Sequence, residues 1–358
     1  MCNPFITDMT DITLENSERW QQRSAATVRR AVRCQIVSYL HRNEPGAQTR
    51  DRIVIGLINN MADAALESTV TQFTELLEAA AGAMPVQLRL SYLPEVVRAP
   101  AVVQLLASSY WPIDALMAEP PDALIVTGAE PLAPTLQQEP YWARLGQLLQ
   151  WADATTVSSI WSCLAAHAAV AHLDGIPRQR LAQKCCGVFE HSALAGHALL
   201  RGVGTPLYTP QSRWNEVPVA GLRAAGYTLL SESATAGANI FCKQQRSLLL
   251  FFQGHPEYQN TTLLKEYRRD VGRFLNGRQA AYPTLPCGYF PADAAALLDK
   301  YRQRVTPRPS PELLADLPFA AVAAGLHDHW RADAVRLYGN WLEYLAAAKA
   351  AAPAAVSG

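Results

Sequence analysis

The sequence has no run of eighteen apolar residues, the length a bilayer-spanning helix needs, so nothing in it reads as a membrane span. It carries no net charge either. Lys and Arg number 31 and Asp and Glu number 31, which leaves no field to draw nucleic acid or an anionic membrane surface. Cys-x-x-Cys pairs and His/Cys clusters at zinc spacing are missing, so no metal is expected. The seven cysteines are an odd number without a secretory pattern, and the expectation is a reduced, cytoplasmic protein with no disulfide framework.

What is present suits a globular α/β enzyme. At 358 residues, 49% of them apolar, the chain can bury a sizeable core. Short apolar runs at 52–59, 86–93, 123–127, 155–160 and 247–252 have strand length and composition. Between the first two, 64–81 reads as a helix, with Leu66, Val70, Phe73, Leu76 and Leu77 at helical spacing. This is a β-α-β unit. Further helices are expected at 18–40, 262–275, 293–304 and 332–350, and a strand at 187–191.

The strand at 155–160 leads straight into an alanine-rich helical pattern from Leu164 that stops at Gly175-Ile176-Pro177, a C-cap glycine followed by proline. Cys163 falls between the two. A thiol there stands above the sheet edge, where unpaired helix N–H groups stabilise a thiolate and a developing oxyanion. The layout is that of a nucleophile elbow without its usual glycines, and Ala165 suits the tight turn. The plainer reading is a small buried hydrophobe.

A second run, 247–252, ends in Gln253-Gly254-His255-Pro256-Glu257. A cysteine nucleophile needs a base, and the base needs a carboxylate to set its tautomer. His255 and Glu257 supply both types, two apart, which in extended chain places them on one face. At the end of the 123–127 strand, Gly128 allows close backbone approach, so the amides of Gly128, Ala129 and Leu164 are oxyanion-hole candidates. The adjacent Cys185 and Cys186 read as packing residues.

Cys163 followed by His255-Pro256-Glu257 at a strand end resembles the class I glutamine amidotransferase-like superfamily. Within it, the chain more closely resembles the homoserine O-succinyltransferase/O-acetyltransferase family. The likeness runs from Arg52 to Leu345 and is carried by Val54-Ile55-Gly56-Leu57-Ile58-Asn59-Asn60-Met61, Ala123-Leu124-Ile125-Val126-Thr127-Gly128-Ala129, Tyr141-Trp142, the Cys163 elbow, Gly187-Val188-Phe189-Glu190-His191, Ser212-Arg213, Gly254-His255-Pro256-Glu257-Tyr258 and Arg268-Arg269-Asp270.

The resemblance implies a flavodoxin-like, mostly parallel sheet with helices on both faces. It divides the chain into an N-terminal helical extension (1–51), a catalytic α/β domain (52–280), a C-terminal helical extension (281–350) and a disordered tail (351–358). It implies a Cys163, His255, Glu257 triad, with Lys184, Ser212 and Arg269 binding substrate. The residue after the turn beyond Gly128 helps select the acyl group: gapless counting puts Leu132 there and alignment on Pro131-Leu132 puts Ala133 there. No bound cofactor is implied. Acyl-CoA is the co-substrate, succinyl-CoA favoured over acetyl-CoA, the acceptor is homoserine, and a homodimer is expected. The family's Met-Pro-Lys is replaced by Met61-Ala62-Asp63, which keeps serine open as acceptor. A glutaminase-like hydrolase on the same triad, and a binding protein that kept the fold, are the other readings.

Overall fold

Segments apolar on both faces pair side by side and are covered by helices above and below. The computed structural model describes residues 52–194 and 196–351. In chain order the elements are β1 (Ile53–Ile58), α1 (Leu66–Ala81), β2 (Val86–Ser91), α2 (Pro100–Ser109), α3 (Ile113–Ala118), β3 (Ala123–Thr127), α4 (Trp142–Thr155), β4 (Ser158–Ser162), α5 (Leu164–Asp174) and β5 (Gln179–Ala193). There follow β6 (Leu207–Glu216), α6 (Val219–Ala224), β7 (Thr228–Ser233), β8 (Gly237–Gln244), β9 (Leu248–Phe252), α7 (Thr262–Leu275), α8 (Ala292–Val305), α9 (Phe319–Ala323) and α10 (Arg331–Ala351). The helix expected at 18–40, the rest of 1–51 and the tail from 352 lie outside the described residues; Ala351 closes α10.

The nine-stranded sheet has the order β2-β1-β3-β4-β9-β8-β7-β5-β6. From β2 to β9 every pairing is parallel. That half has the 2-1-3-4-5 order of flavodoxin-like sheets, whose ligands bind beyond the strands' carboxyl ends. From β9 outward the pairings are antiparallel. The sheet is therefore mixed, and the strand expected at 187–191 is the middle of the longer β5. Strands β7 and β8 escaped the sequence reading because polar residues interrupt their apolar positions, as in TLLSES.

Alternation along the parallel strands splits the core in two. Ile55, Ile125, Ile160 and Leu250 join α1 and α10 on one face. Leu124, Trp161, Leu249 and Phe251 join α4 and α5 on the other. Each such side chain, fully buried, contributes about 1.5–3 kcal/mol. Helix α10 is tied in by polar bonds as well: Trp341 Nε1 donates to Ser158 Oγ at 3.0 Å and Lys349 Nζ meets Asp122 Oδ2 at 2.8 Å. A third cluster gathers α7, α8 and Trp330, whose Nε1 donates to the Tyr258 carbonyl at 3.0 Å. No helix among the described residues is long and apolar enough to cross a membrane.

The strand expected at 155–160 begins later, at Ser158. Thr155 and Thr156 turn their hydroxyls back to the carbonyls of Trp151 and Ala152, both at 2.8 Å, and so finish α4 in place of opening a strand.

Candidate active site

Strands β4 and β9 are parallel neighbours, with Ser162 opposite Phe252. The chain leaves both at the same sheet edge. Cys163 follows β4 directly and N-caps α5 with φ 52° and ψ −114°. It is the one non-glycine residue with positive φ among the described residues. Such backbone costs about 1–3 kcal/mol and persists where its surroundings hold it. Here the Cys163 N–H donates to the Phe252 carbonyl at 2.6 Å, and its carbonyl accepts from Ala166 N at 3.0 Å.

Three residues beyond β9, His255 takes up the other side of the site. Its amide donates to the Pro210 carbonyl of β6 at 2.8 Å, so the antiparallel extension holds the loop. A Cβ on Gly254 would lie 2.5 Å from both Asn239 Oδ1 and Gln211 Nε2, which leaves room only for glycine. His255 Nδ1 and Glu257 Oε1 are 2.8 Å apart and both side chains are buried. The extended chain expected between them is in fact a turn, closed by Tyr258 N donating to the His255 carbonyl at 3.2 Å. Pro256 favours that turn. Burial opposes a charge on His255, but Glu257 and the Cys163 thiol outweigh it and hold its pKa well above 6.5. Tyr258 stacks on the ring at 4.2 Å. Glu257 Oε2 and the Tyr338 hydroxyl of α10 are both buried without a hydrogen-bond partner among the described residues.

Cys163, His255 and Glu257 line a cavity of about 420 Å³. On one side lie Ser212, Tyr258, Glu266 and Arg269. Glu266 accepts from Tyr258 Oη at 2.7 Å and from the Ser212 hydroxyl. The sequence reading overlooked Glu266; its signal is the i,i+3 spacing to Arg269, which puts both on one face of α7. Asp270 gathers the cations: Lys184 Nζ at 2.7 Å, Arg269 Nε at 3.1 Å and Arg273 Nη1 at 3.3 Å. Burial raises the Asp270 pKa, yet Lys184 and Arg269 hold it below the usual carboxylate value. Lys184, read as a substrate ligand, thus lines the cavity with its ammonium already paired.

On the other side, Gly128 lies against the start of α5; a Cβ there would be 2.4 Å from Leu164 Cβ and 2.8 Å from Ala165 N. Gly128 and Leu164 line the cavity, whereas Ala129 is buried in the core beneath it. Leu132 is 73% exposed and outside the cavity, and Ala133 lines it. The Ala133 amide donates to the buried Glu139 Oε1 at 2.6 Å, which turns this residue inward and the preceding leucine outward. The Arg213 guanidinium is buried and consumed by Gln211 Oε1 at 3.1 Å and the carbonyls of Asn215 and Ala236. Asp63, in the altered loop after β1, pairs with Arg98 at 3.0 Å. His167 lies one turn into α5; burial above all, with the charge of Arg213, drives its pKa down to about 3. Its neutral Nε2 faces Gln253 Oε1 at 2.9 Å; since that oxygen only accepts, the nitrogen carries the hydrogen.

The family model described as homoserine O-succinyltransferase matches residues 24–352. A homoserine O-succinyltransferase from Rhodopseudomonas palustris is 47% identical over 307 residues, 86% of this chain and 92% of that protein. One from Bradyrhizobium japonicum is 43% identical over 295 residues, 82% of this chain and 90% of that protein. Among solved structures, a glutamine amidotransferase from Methylobacillus flagellatus covers 82% of this chain and 95% of its own, at 16% identity and a TM-score of 0.45.

Proposed function

Because the chain belongs to the homoserine O-succinyltransferase family, an acyltransferase family, we propose that it moves a succinyl group from succinyl-CoA to the hydroxyl of L-homoserine through a thioester on Cys163. The observation that carries this reading is the strained Cys163 elbow facing a buried His255–Glu257 pair. In the first half the Cys163 sulfur, its proton already held by His255 beside Glu257, attacks the thioester carbonyl. The amides of Leu164 and Gly128 face the developing oxyanion. Collapse breaks the bond to coenzyme A, whose sulfur takes the proton back from His255. In the second half His255 removes the acceptor's hydroxyl proton, the oxygen attacks the acyl-enzyme, and the Cys163 sulfur leaves.

A zwitterionic acceptor needs an anion for its ammonium and a cation for its carboxylate. Glu266 and Arg269 present that pair on one wall, with Ser212 beside them. The small Ala133 leaves space for an acyl chain longer than acetyl. Intact-protein mass after mixing with succinyl-CoA, then with homoserine or serine, tests the reading. A succinyl adduct on the wild type that is absent from Cys163→Ala and discharged by homoserine supports it. Discharge by serine alone moves the acceptor to serine, and the absence of any adduct rejects the thioester route.

A further inference from the structure

Six Arg and Lys side chains line the cavity: Arg178, Arg180, Lys184, Arg213, Arg269 and Arg273. Five of them have work already. Lys184, Arg269 and Arg273 converge on Asp270, Arg213 is bonded to Gln211 and two carbonyls, and Arg180 lies over the Trp214 ring at 4.5 Å. Arg178 is different. It lines the cavity half-buried, yet makes no ion pair and no hydrogen bond to any other described residue. A guanidinium carries five donors, and those of Arg178 are not sealed from solvent but lie open to an acceptor that enters the cavity.

Its place in the fold says what would meet it. Arg178 lies between α5 and β5, its backbone stiffened by Pro177 and by entry into the strand. Its field reaches His167, one turn along α5 from Cys163, and Tyr141 and Glu139. Glu139 braces the amide of Ala133 at 2.6 Å. Arg178 and Ala133 both line the cavity, and the charge of Glu139, which braces Ala133, acts on Arg178; Ser212, Glu266 and Arg269 cluster where β6 meets α7. A donor whose acyl group ends in a carboxylate needs a cation near Ala133 whose hydrogen-bond donors the protein has left unused.

We propose that Arg178 receives the distal carboxylate of the succinyl group and so selects the donor. The inference rests on the succinyl-transfer reading given above. A guanidinium suits the task because its planar fork matches a carboxylate by two parallel hydrogen bonds. Acetyl-CoA has nothing to place there, so the residue favours the longer acid without contributing to acetyl transfer.

The test is the rate of Cys163 acylation, followed by intact mass, with succinyl-CoA and with acetyl-CoA, in the wild type, Arg178→Gln and Arg178→Lys. The expected result is a fall of about 100-fold in the succinyl-to-acetyl ratio of kcat/KM for Arg178→Gln, with partial recovery in Arg178→Lys, which restores a charge but not the fork. Equal losses with both donors would assign Arg178 a structural role and overturn the proposal, as would an unchanged ratio. If the wild type itself is acylated by neither thioester, the transfer reading fails first and this inference falls with it.

Discussion

The amide of Cys163 donates to the carbonyl of Phe252 at 2.6 Å. This one bond ties the elbow to the strand that delivers His255, so the proposed nucleophile and base are carried by adjacent strands with a shared register. It also occupies the N–H of the proposed nucleophile, so the oxyanion hole proposed above draws on Leu164 and Gly128.

The strained backbone at Cys163 makes glycine the better residue there for stability and the worse one for chemistry. Cys163→Gly is expected to be about 1 kcal/mol more stable than Cys163→Ala, because glycine reaches φ 52° without a Cβ penalty while adding some chain entropy to the unfolded state. Urea midpoints of the two variants measure the difference. Equal midpoints would mean that the elbow stores no strain.

Gly128→Ala places a methyl 2.4 Å from Leu164 Cβ. The loop and the start of α5 must part, and the two amides of the proposed oxyanion hole part with them. Acylation of Cys163 by succinyl-CoA should slow by about 10²–10³-fold, the span of losing one oxyanion donor. Stopped reactions analysed by mass give the rate; wild-type speed would remove Gly128 from the hole.

Glu257→Gln removes the charge that holds His255 protonated. Folding raises the His255 pKa, so the folded state keeps a proton that the unfolded chain releases near 6.5. The pair's contribution to stability is full below 6.5 and is lost as pH rises through the folded value. The stability gap between wild type and Glu257→Gln should therefore be widest below 6.5 and narrow in alkali, with turnover about 10²–10⁴-fold lower. A gap that widens with pH contradicts the assignment.

Glu266→Gln separates the half-reactions. The succinyl adduct should form at the wild-type rate, while its discharge by homoserine slows about 10–100-fold for loss of a charged hydrogen-bond partner. Slowed adduct formation would instead put Glu266 on the donor side.

His167 has the opposite pH signature to His255. Its pKa of about 3 lies below the unfolded 6.5, so its contribution is complete above 6.5 and is lost as pH falls through 3. His167→Gln, which keeps a donor toward Gln253, should flatten the acid side of the stability profile. His191, lowered to about 4 mainly by burial, accounts for slope that remains. Acid denaturation curves that superimpose would refute the neutral, buried state of His167.

Sequence alone determined the parts whose signal is local. β3 was legible to the residue because a strand buried on both faces must be continuously apolar, and α7 was legible because its buried residues recur at helical spacing. The positions of Cys163 and His255 at strand ends were legible for the same reason. Tertiary structure alone decided whatever depends on partners far along the chain. Leu132 turns outward and Ala133 inward because Glu139 captures one amide, and Lys184 and Arg269 are paired because Asp270 reaches both. His255 meets Glu257 through a turn, anchored by a bond from His255 to β6, a strand whose place beside the parallel half no local pattern records. Periodicity reports which face of a segment leaves water; which charges then meet is fixed only when those faces pack.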